Sequence, residues 1–232
     1  MQRAAAAPVA DLGAIVGAGG LVVLAPHPDD ESLGCGGLLR AAAMAGRRIS
    51  VVAITDGRLS HRHSPTVDAD ALAALRTAEL EAAVAALHPT IRLVQLGYPD
   101  GGAPHEAAAA VRIASIVDAA GATALVASWG GDPHPDHEAT ATLGRHVSHL
   151  RPALRRWSYP IWGRFAPGAG HLAEHVPIVR FETEPYRDAK AAAIACHRSQ
   201  MTALIDDDPT GFVMDPGMQA HFIAYPEVFL AD

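Results

Sequence analysis

The chain has 232 residues, half of them hydrophobic and only 5% aromatic, enough apolar material for one large core or two small ones. Eighteen Lys and Arg stand against 25 Asp and Glu, a formal net charge of −7 with no basic block and no interleaving of bases with aromatics. That balance argues against nucleic acid or an anionic membrane as the main partner, and no apolar run approaches the roughly eighteen residues needed to span a bilayer.

Residues 1–20 are rich in Ala and Gly with one early Arg, a pattern that mimics a secretory leader. Cleavage near Ala25 would remove the first sheet strand, so the expected setting is soluble and cytoplasmic. The opening twelve residues read as a loosely packed lead-in. A continuous apolar run at residues 21–25, bounded by Gly-Gly and Pro, predicts a buried strand. A helix over residues 30–45 follows, with Leu33, Leu38, Leu39 and Met44 apolar and Gly46 at its stop. Gly34, Gly36 and Gly37 weaken that helix, which points to close backbone approach. A phosphate cradle is the competing reading, but no Walker lysine accompanies these glycines.

Residues 49–55 predict a second buried strand. Residues 58–70 are polar, contain a Pro, and form a loop of a length that often carries function. A strong helix over 71–87 sets Arg76 and Glu79 on one face at i, i+3, in the plain reading an exposed ion pair. A third strand at 91–96 leads into the turn Gly97-Tyr98-Pro99-Asp100-Gly101-Gly102. Helix 107–120, strand 124–128 and helix 137–150 follow. Further on, 157–162 and 176–181 read as strands and 185–201 as a helix with Pro near its start. From residue 205 the tail is acidic, then aromatic and Pro-punctuated, and is expected only to cover one face. No repeat or linker divides the chain. Strand–helix alternation through residue 150 predicts a single α/β domain over residues 1–232, with a mainly parallel sheet flanked by helices. Cys35 and Cys196 are far apart in separate helical segments and read as core or near-core thiols.

Two stretches carry chemistry. Ala25-Pro26-His27-Pro28-Asp29-Asp30-Glu31 follows the first strand, and Ser128-Trp129-Gly130-Gly131-Asp132-Pro133-His134-Pro135-Asp136-His137-Glu138 follows the fourth. Each sets His-Pro-Asp at a strand-to-helix turn, where open α/β sheets bind ligands, and in a parallel sheet the two turns can lie side by side. Imidazoles and carboxylates suit a borderline metal such as zinc. The first stretch alone is equally well explained as a helix cap with acids near a positive helix N-terminus. The second copy moves the balance toward a metal.

The two motifs together resemble those of the PIG-L or LmbE-like zinc-dependent N-acetylglucosaminyl de-N-acetylases. That family includes the deacetylases of mycothiol and bacillithiol synthesis, glycopeptide tailoring and glycosylphosphatidylinositol assembly. The first stretch matches the family signature Ala-His-Pro-Asp-Asp-Glu except for Pro26, which stands where Ala is usual; the second matches His-Pro-Asp-His in full. The resemblance runs from about residue 21 to 200 and does not choose among the family's substrates. It implies a Rossmann-like fold and hydrolysis of an N-acetyl group from a GlcNAc-type glycoside or sugar-bearing metabolite, releasing acetate and a free amine.

Carried over residue by residue, the resemblance implies His27, Asp30 and His137 as ligands of zinc or another divalent transition metal, with a fourth position left for water. It implies Asp29 as general base, His134 as donor to the developing oxyanion, and Asp136 as holder of the His134 ring in one tautomer. Arg76 stands in an Arg-x-x-Glu whose Arg tends in the family to reach substrate. Asp100, in a segment similar to Leu-Gly-Phe-Pro-Asp-Gly, can accept from a sugar hydroxyl or serve ordinary turn chemistry. Ser199-Gln200 is similar to a helix ending in the family.

Glu31 and Glu138 read as first-turn acids complementing helix dipoles, and His61, His63 and His105 as solvent-exposed. His146, His149, His171, His175 and His197 offer no ligand spacing. The alternatives are a metal-dependent phosphoesterase, which usually needs two metals, and a non-catalytic sugar- or nucleotide-binding module. The partner implied is a small N-acetylated sugar, and whether copies of the chain form a homo-oligomer stays open.

Overall fold

The computed structural model describes residues 6–165 and 176–231; His171 and His175 lie outside them. A short helix α1 (Leu12–Val16) leads into β1 (Gly20–Ala25), α2 (Asp30–Met44), β2 (Ile49–Thr55), α3 (Ala69–Leu87) and β3 (Arg92–Tyr98). Then come α4 (Ala107–Ala120), β4 (Ala122–Ser128), α5 (Pro135–Leu150) and β5 (Arg155–Tyr159). After a 3-10 turn at Trp162–Arg164 follow β6 (Ile178–Phe181), α6 (Arg187–Cys196), α7 (Arg198–Met201), α8 (Pro216–Ala224) and β7 (Glu227–Ala231).

The strands form one sheet in the order β3-β2-β1-β4-β5-β7-β6. The first five are parallel and β7 runs antiparallel to both its neighbours. Parallel neighbours need crossover connections, and each is made here by a helix. The chain steps outward from β1 to β3, then returns to lay β4 beside β1. The strand order therefore reverses between β1 and β4, and the crevice at the carboxyl ends of those two strands is where such sheets bind ligands.

Both faces of the central strands are covered, which is why they read as continuous apolar runs rather than alternating ones. Leu21 and Val23 of β1 pack toward α2, α3, α6 and α8, while Val22 and Leu24 pack toward α4 and α5. Gly34 and Gly37 serve close packing and not a phosphate: a Cβ on Gly34 would stand 2.2 Å from the Tyr159 ring, and one on Gly37 2.5 Å from Thr183.

The structure departs from the sequence reading in four places. Of the expected lead-in, residues 7–10 are packed, not loose: Val9 bridges Arg180 of β6, the Ala10 amide donates to the Arg180 carbonyl at 2.9 Å, and Ala7 and Ala10 are buried. This pairing covers β6 at Arg180, on one residue of the strand. The strand expected over 157–162 starts earlier and stops at Tyr159, because Pro160 cannot extend the ladder. The helix expected over 185–201 breaks at His197 (φ −79°, ψ 56°). Finally, the segment after 205 is more than a cover, since it supplies β7 to the interior of the sheet. There Glu227 accepts the Lys190 ammonium at 2.6 Å and the Gly37 and Leu38 amides at 2.7 and 2.9 Å, with both charged side chains fully buried. Among the described residues, no helix is long and apolar enough to cross a membrane.

Candidate metal centre and substrate pocket

The first turn begins where β1 ends. The Pro26 carbonyl accepts the Thr55 amide and hydroxyl at 3.0 and 2.8 Å, tying the turn to β2. The His27 amide donates to Asp30 Oδ2 at 3.0 Å. Between them Asp29 takes φ 132°, ψ −31°, the one positive φ outside glycine among the described residues. Such a conformation costs on the order of 1–3 kcal/mol and persists only where its surroundings fix it. Here its carbonyl accepts the Ser32 and Leu33 amides that open α2, its amide donates to Glu31 Oε2 at 3.0 Å, and its Oδ2 accepts from Arg76 at 3.2 Å. The second turn follows β4. His134 caps α5, its Nδ1 accepting the Asp136 amide at 3.2 Å, with Pro135 at the first helical position.

The adjacency of β1 and β4 brings the turns together. Asp30 Oδ2 stands 3.4 Å from His27 Nδ1 and 3.4 Å from His137 Nε2. Donors bound about 2.0–2.2 Å from a tetrahedral ion stand roughly 3.3–3.6 Å from one another, so the two separations at Asp30 match those of ligands, while Asp30 is in neither grouping of donors that lie mutually within 4.8 Å among the described residues. The far nitrogens of both rings are also engaged: His27 Nε2 lies 3.0 Å from Asp136 Oδ2 and His137 Nδ1 lies 2.9 Å from Asp132 Oδ2. A carboxylate accepts only, so in a neutral ring those nitrogens would carry the protons and leave the nitrogens on the Asp30 side free for a metal. Carboxylates behind ligating imidazoles are the usual supporting arrangement of a metal site. His134 also comes near, and His27, His134 and His137 present nitrogens within 4.8 Å of one another. A second grouping, His27 with Asp100 and Asp136, shares the His27 ring, and its carboxylates already accept the Leu59, Gly101 and Ala103 amides.

Asp136 does not orient His134 through its carboxylate. That group faces His27, and only the Asp136 backbone amide touches the His134 ring. Because an amide can only donate, His134 Nδ1 is bare and Nε2 carries the hydrogen of the neutral ring. The tautomer is thus set at Asp136, but by its main chain.

The acids differ sharply in environment. Burial pushes the Asp29 carboxyl up to about 6, against the pull of Arg76. Burial would also raise Asp30, but the charge of His137 and the hydrogen bond from His27 outweigh it and bring Asp30 down to about 2. Asp136 is likewise lowered: burial is outweighed by His27 and the two amides it accepts. Burial and the neighbouring His27 and His137 hold the His134 ring below the ordinary imidazole value, so it is neutral at pH 7.

A cavity of about 370 Å³ opens on this centre, with a polar floor of His27, Asp29, Asp30, His134 and His137. Its apolar lining is Leu33, Leu59, Ile161, Trp162, Phe212 and Met214, and Trp162 meets Phe212 edge to face at 5.5 Å. Leu59, Ser60 and Arg62 come from the polar loop expected over residues 58–70. Arg76 also lines the cavity, yet it is no exposed ion pair with Glu79. Its Nη atoms donate to Gly57 O at 3.0 Å, Pro28 O at 2.5 Å and Asp29, whereas buried Glu79 takes the Ser199 amide and hydroxyl. Asp100 lines the cavity too, its oxygens near His27 Nε2 at 3.3 Å and the Leu59 amide at 3.0 Å.

Three further residues were missed or misread from the sequence. Asp132, which holds His137 and accepts the Ile161 and Gly163 amides, sits in a Gly-Gly-Asp-Pro run that turn chemistry explains as well. Glu31 is not a solvated first-turn acid; it is fully buried against His197. His61 is buried rather than exposed.

Residues 22–148 match the model of the GlcNAc-PI de-N-acetylase family, PIG-L. The chain belongs to that family. It is 26% identical to a probable N-acetyl-alpha-D-glucosaminyl L-malate deacetylase 2 of Bacillus anthracis, across 81% of this chain and 84% of that protein. It is 34% identical to a 1D-myo-inositol 2-acetamido-2-deoxy-alpha-D-glucopyranoside deacetylase of Kineococcus radiotolerans, across 48% of this chain and 39% of that protein. Its fold is shared with the crystal structure of a deacetylase triple mutant from the teicoplanin biosynthetic pathway, with a TM-score of 0.70 and 20% identity over 91% of this chain and 97% of the other. Family and relatives alike are de-N-acetylase hydrolases, and so is this chain.

Proposed function

We propose that this enzyme hydrolyses the N-acetyl group of an N-acetylated amino sugar, a GlcNAc-type glycoside or sugar-bearing metabolite, using a divalent transition metal held by His27, Asp30 and His137. Zinc is the expected ion. The observation that carries the reading is Asp30 Oδ2 set between two imidazoles whose far nitrogens rest on carboxylates. Such an ion, when bound, supplies Lewis acidity that polarises a carbonyl and brings the pKa of water to about 7.

The remaining work falls to side chains of this chain. Asp29, with its carboxyl raised to about 6 by burial, is the base that removes a proton from the attacking water, close to the ideal for a base working near neutrality. Arg76 holds that carboxylate in place. His134 donates its Nε2 hydrogen to the oxygen of the tetrahedral species, and its neutrality leaves that hydrogen to be shared rather than surrendered. Asp100 keeps lone pairs to accept a sugar hydroxyl, and the Trp162–Phe212 pair suits the apolar face of a pyranose ring. The two cysteines are free, consistent with a reducing, cytoplasmic setting. A phosphoesterase working with two ions finds little support, because the two donor groupings among the described residues share His27.

The test is amine release from a panel of N-acetylated amino sugars by the zinc-loaded protein, before and after chelation. Turnover that is lost to the chelator and restored by zinc or another divalent metal is expected. Hydrolysis of phosphate esters without amine release would replace this reading.

A further inference from the structure

The strained backbone of Asp29 is held from behind by a buried pair with no part in the chemistry above. Glu31 Oε2 accepts the Asp29 amide at 3.0 Å, and Glu31 Oε1 accepts the Ser32 hydroxyl at 2.6 Å and lies 3.0 Å from His197 Nε2. Glu31 and His197 are both fully buried. A carboxylate closed off from water needs a partner that replaces the water, and His197 is the titratable group that meets it.

The fold makes a specific adjustment to put His197 there. The helical path stops at Ile194–His197, where the His197 amide donates to Ile194 O at 3.1 Å, and restarts with the His197 carbonyl accepting the Gln200 and Met201 amides at 3.0 and 2.9 Å. His197 Nδ1 finds no hydrogen-bond partner among the described residues. The ring's hydrogen bonding is therefore directed at Glu31 alone, and through Glu31 at the Asp29 amide.

We propose that Glu31 and His197 are positioning residues: as a pair they fix the Asp29 main chain at positive φ, and so keep its carboxylate between Arg76 and the pocket. The activity arm of this inference rests on the deacetylase reading; the structural arm does not. In the metal-loaded full chain, Glu31→Gln and His197→Phe are expected to lower kcat for amine release roughly 10–100-fold, the usual effect of losing a supporting contact. KM should move less than about threefold, with bound metal unchanged. The double variant should lose no more than the worse single one, because the two residues act as a unit. His197→Gln, which keeps an N–H donor, should recover part of the rate. Independently of turnover, the Asp29 amide should exchange with solvent faster in both single variants, as read by NMR, while amides of α5 keep wild-type rates.

Wild-type kcat and wild-type Asp29 exchange accompanied only by a lower melting temperature would overturn the proposal, and so would losses that multiply in the double variant. Failure of the wild type to release amine from any substrate would remove the deacetylase reading, while the exchange measurement would still decide the role of this pair. If His197→Phe does not fold, the isosteric Glu31→Gln carries the same comparison.

Discussion

The two His-Pro-Asp turns share a tripeptide and little else. In the first, His27 is the ring we propose binds the ion, and the following Asp29 takes positive φ. In the second, His134 caps a helix with ordinary extended backbone, the following Asp136 turns away to face His27, and the ring proposed to face the ion belongs to His137. The second turn thus supplies both supporting carboxylates: Asp136 reaches across to stand behind His27, and Asp132 stands behind His137 of its own turn. The difference teaches that an identical motif at two equivalent strand ends can be read only relative to its neighbours. The order β1-β4, not the tripeptide, decides which side chain meets which.

The largest expected effect separates the adjacent acids of the first turn. Asp30→Ala should lose metal and activity together, whereas Asp29→Asn should keep the metal and lose about 10²–10⁴-fold in rate. Metal content and turnover of both variants check this, and metal loss confined to Asp29→Asn would reverse the roles. Next comes the packing behind that turn. α2 carries the Gly37 and Leu38 amides bound by Glu227, so Lys190→Met leaves a buried carboxylate without its cation and should destabilise the protein by about 3–5 kcal/mol. Denaturant melts read this directly; a change under about 1 kcal/mol would show the pair to be dispensable.

A smaller effect tests the symmetry of the supporting acids. Asp132→Asn and Asp136→Asn should each weaken metal binding roughly 10–100-fold in competition with a chelator. If Asp136→Asn left affinity untouched and altered only the rate, its carboxylate would serve His134 after all. The smallest effect lies away from both turns. Burial, with Arg164 donating to its Nε2 at 3.0 Å, brings His221 down to about 4. Between about pH 6.5 and 4 the unfolded chain therefore binds a proton that the folded chain refuses, and stability falls as pH drops through that window. His221→Gln should flatten the wild-type slope there, and an unchanged slope would remove His221 as a cause.

The parallel half of the molecule was legible in the sequence because burial on both faces leaves continuous apolar runs such as residues 21–25 and 49–55. The structure also gathers the eight candidate site residues around one cavity, seven in its lining and Asp136 beside it. Partnership was not legible. That Asp136 faces His27, that Glu31 faces His197 at a sequence distance of 166, and that Arg76 holds Asp29 and not Glu79 all depend on packing between elements distant in the chain. β7 escaped for a different reason. It is five residues long, opens on a charged Glu227 after Pro226, and owes its burial to a lysine in another helix.

The place of β7 in the sheet also bears on how the protein is made. β6 is joined to the sheet through β7, which is synthesised some forty-five residues later and inserts between β6 and β5. As the chain leaves the ribosome, the five parallel strands can assemble while β6 still lacks its neighbour. Until β7 is made, the edges of β6 and β5 that it pairs stay open, and unpaired strand edges are where one chain associates with another.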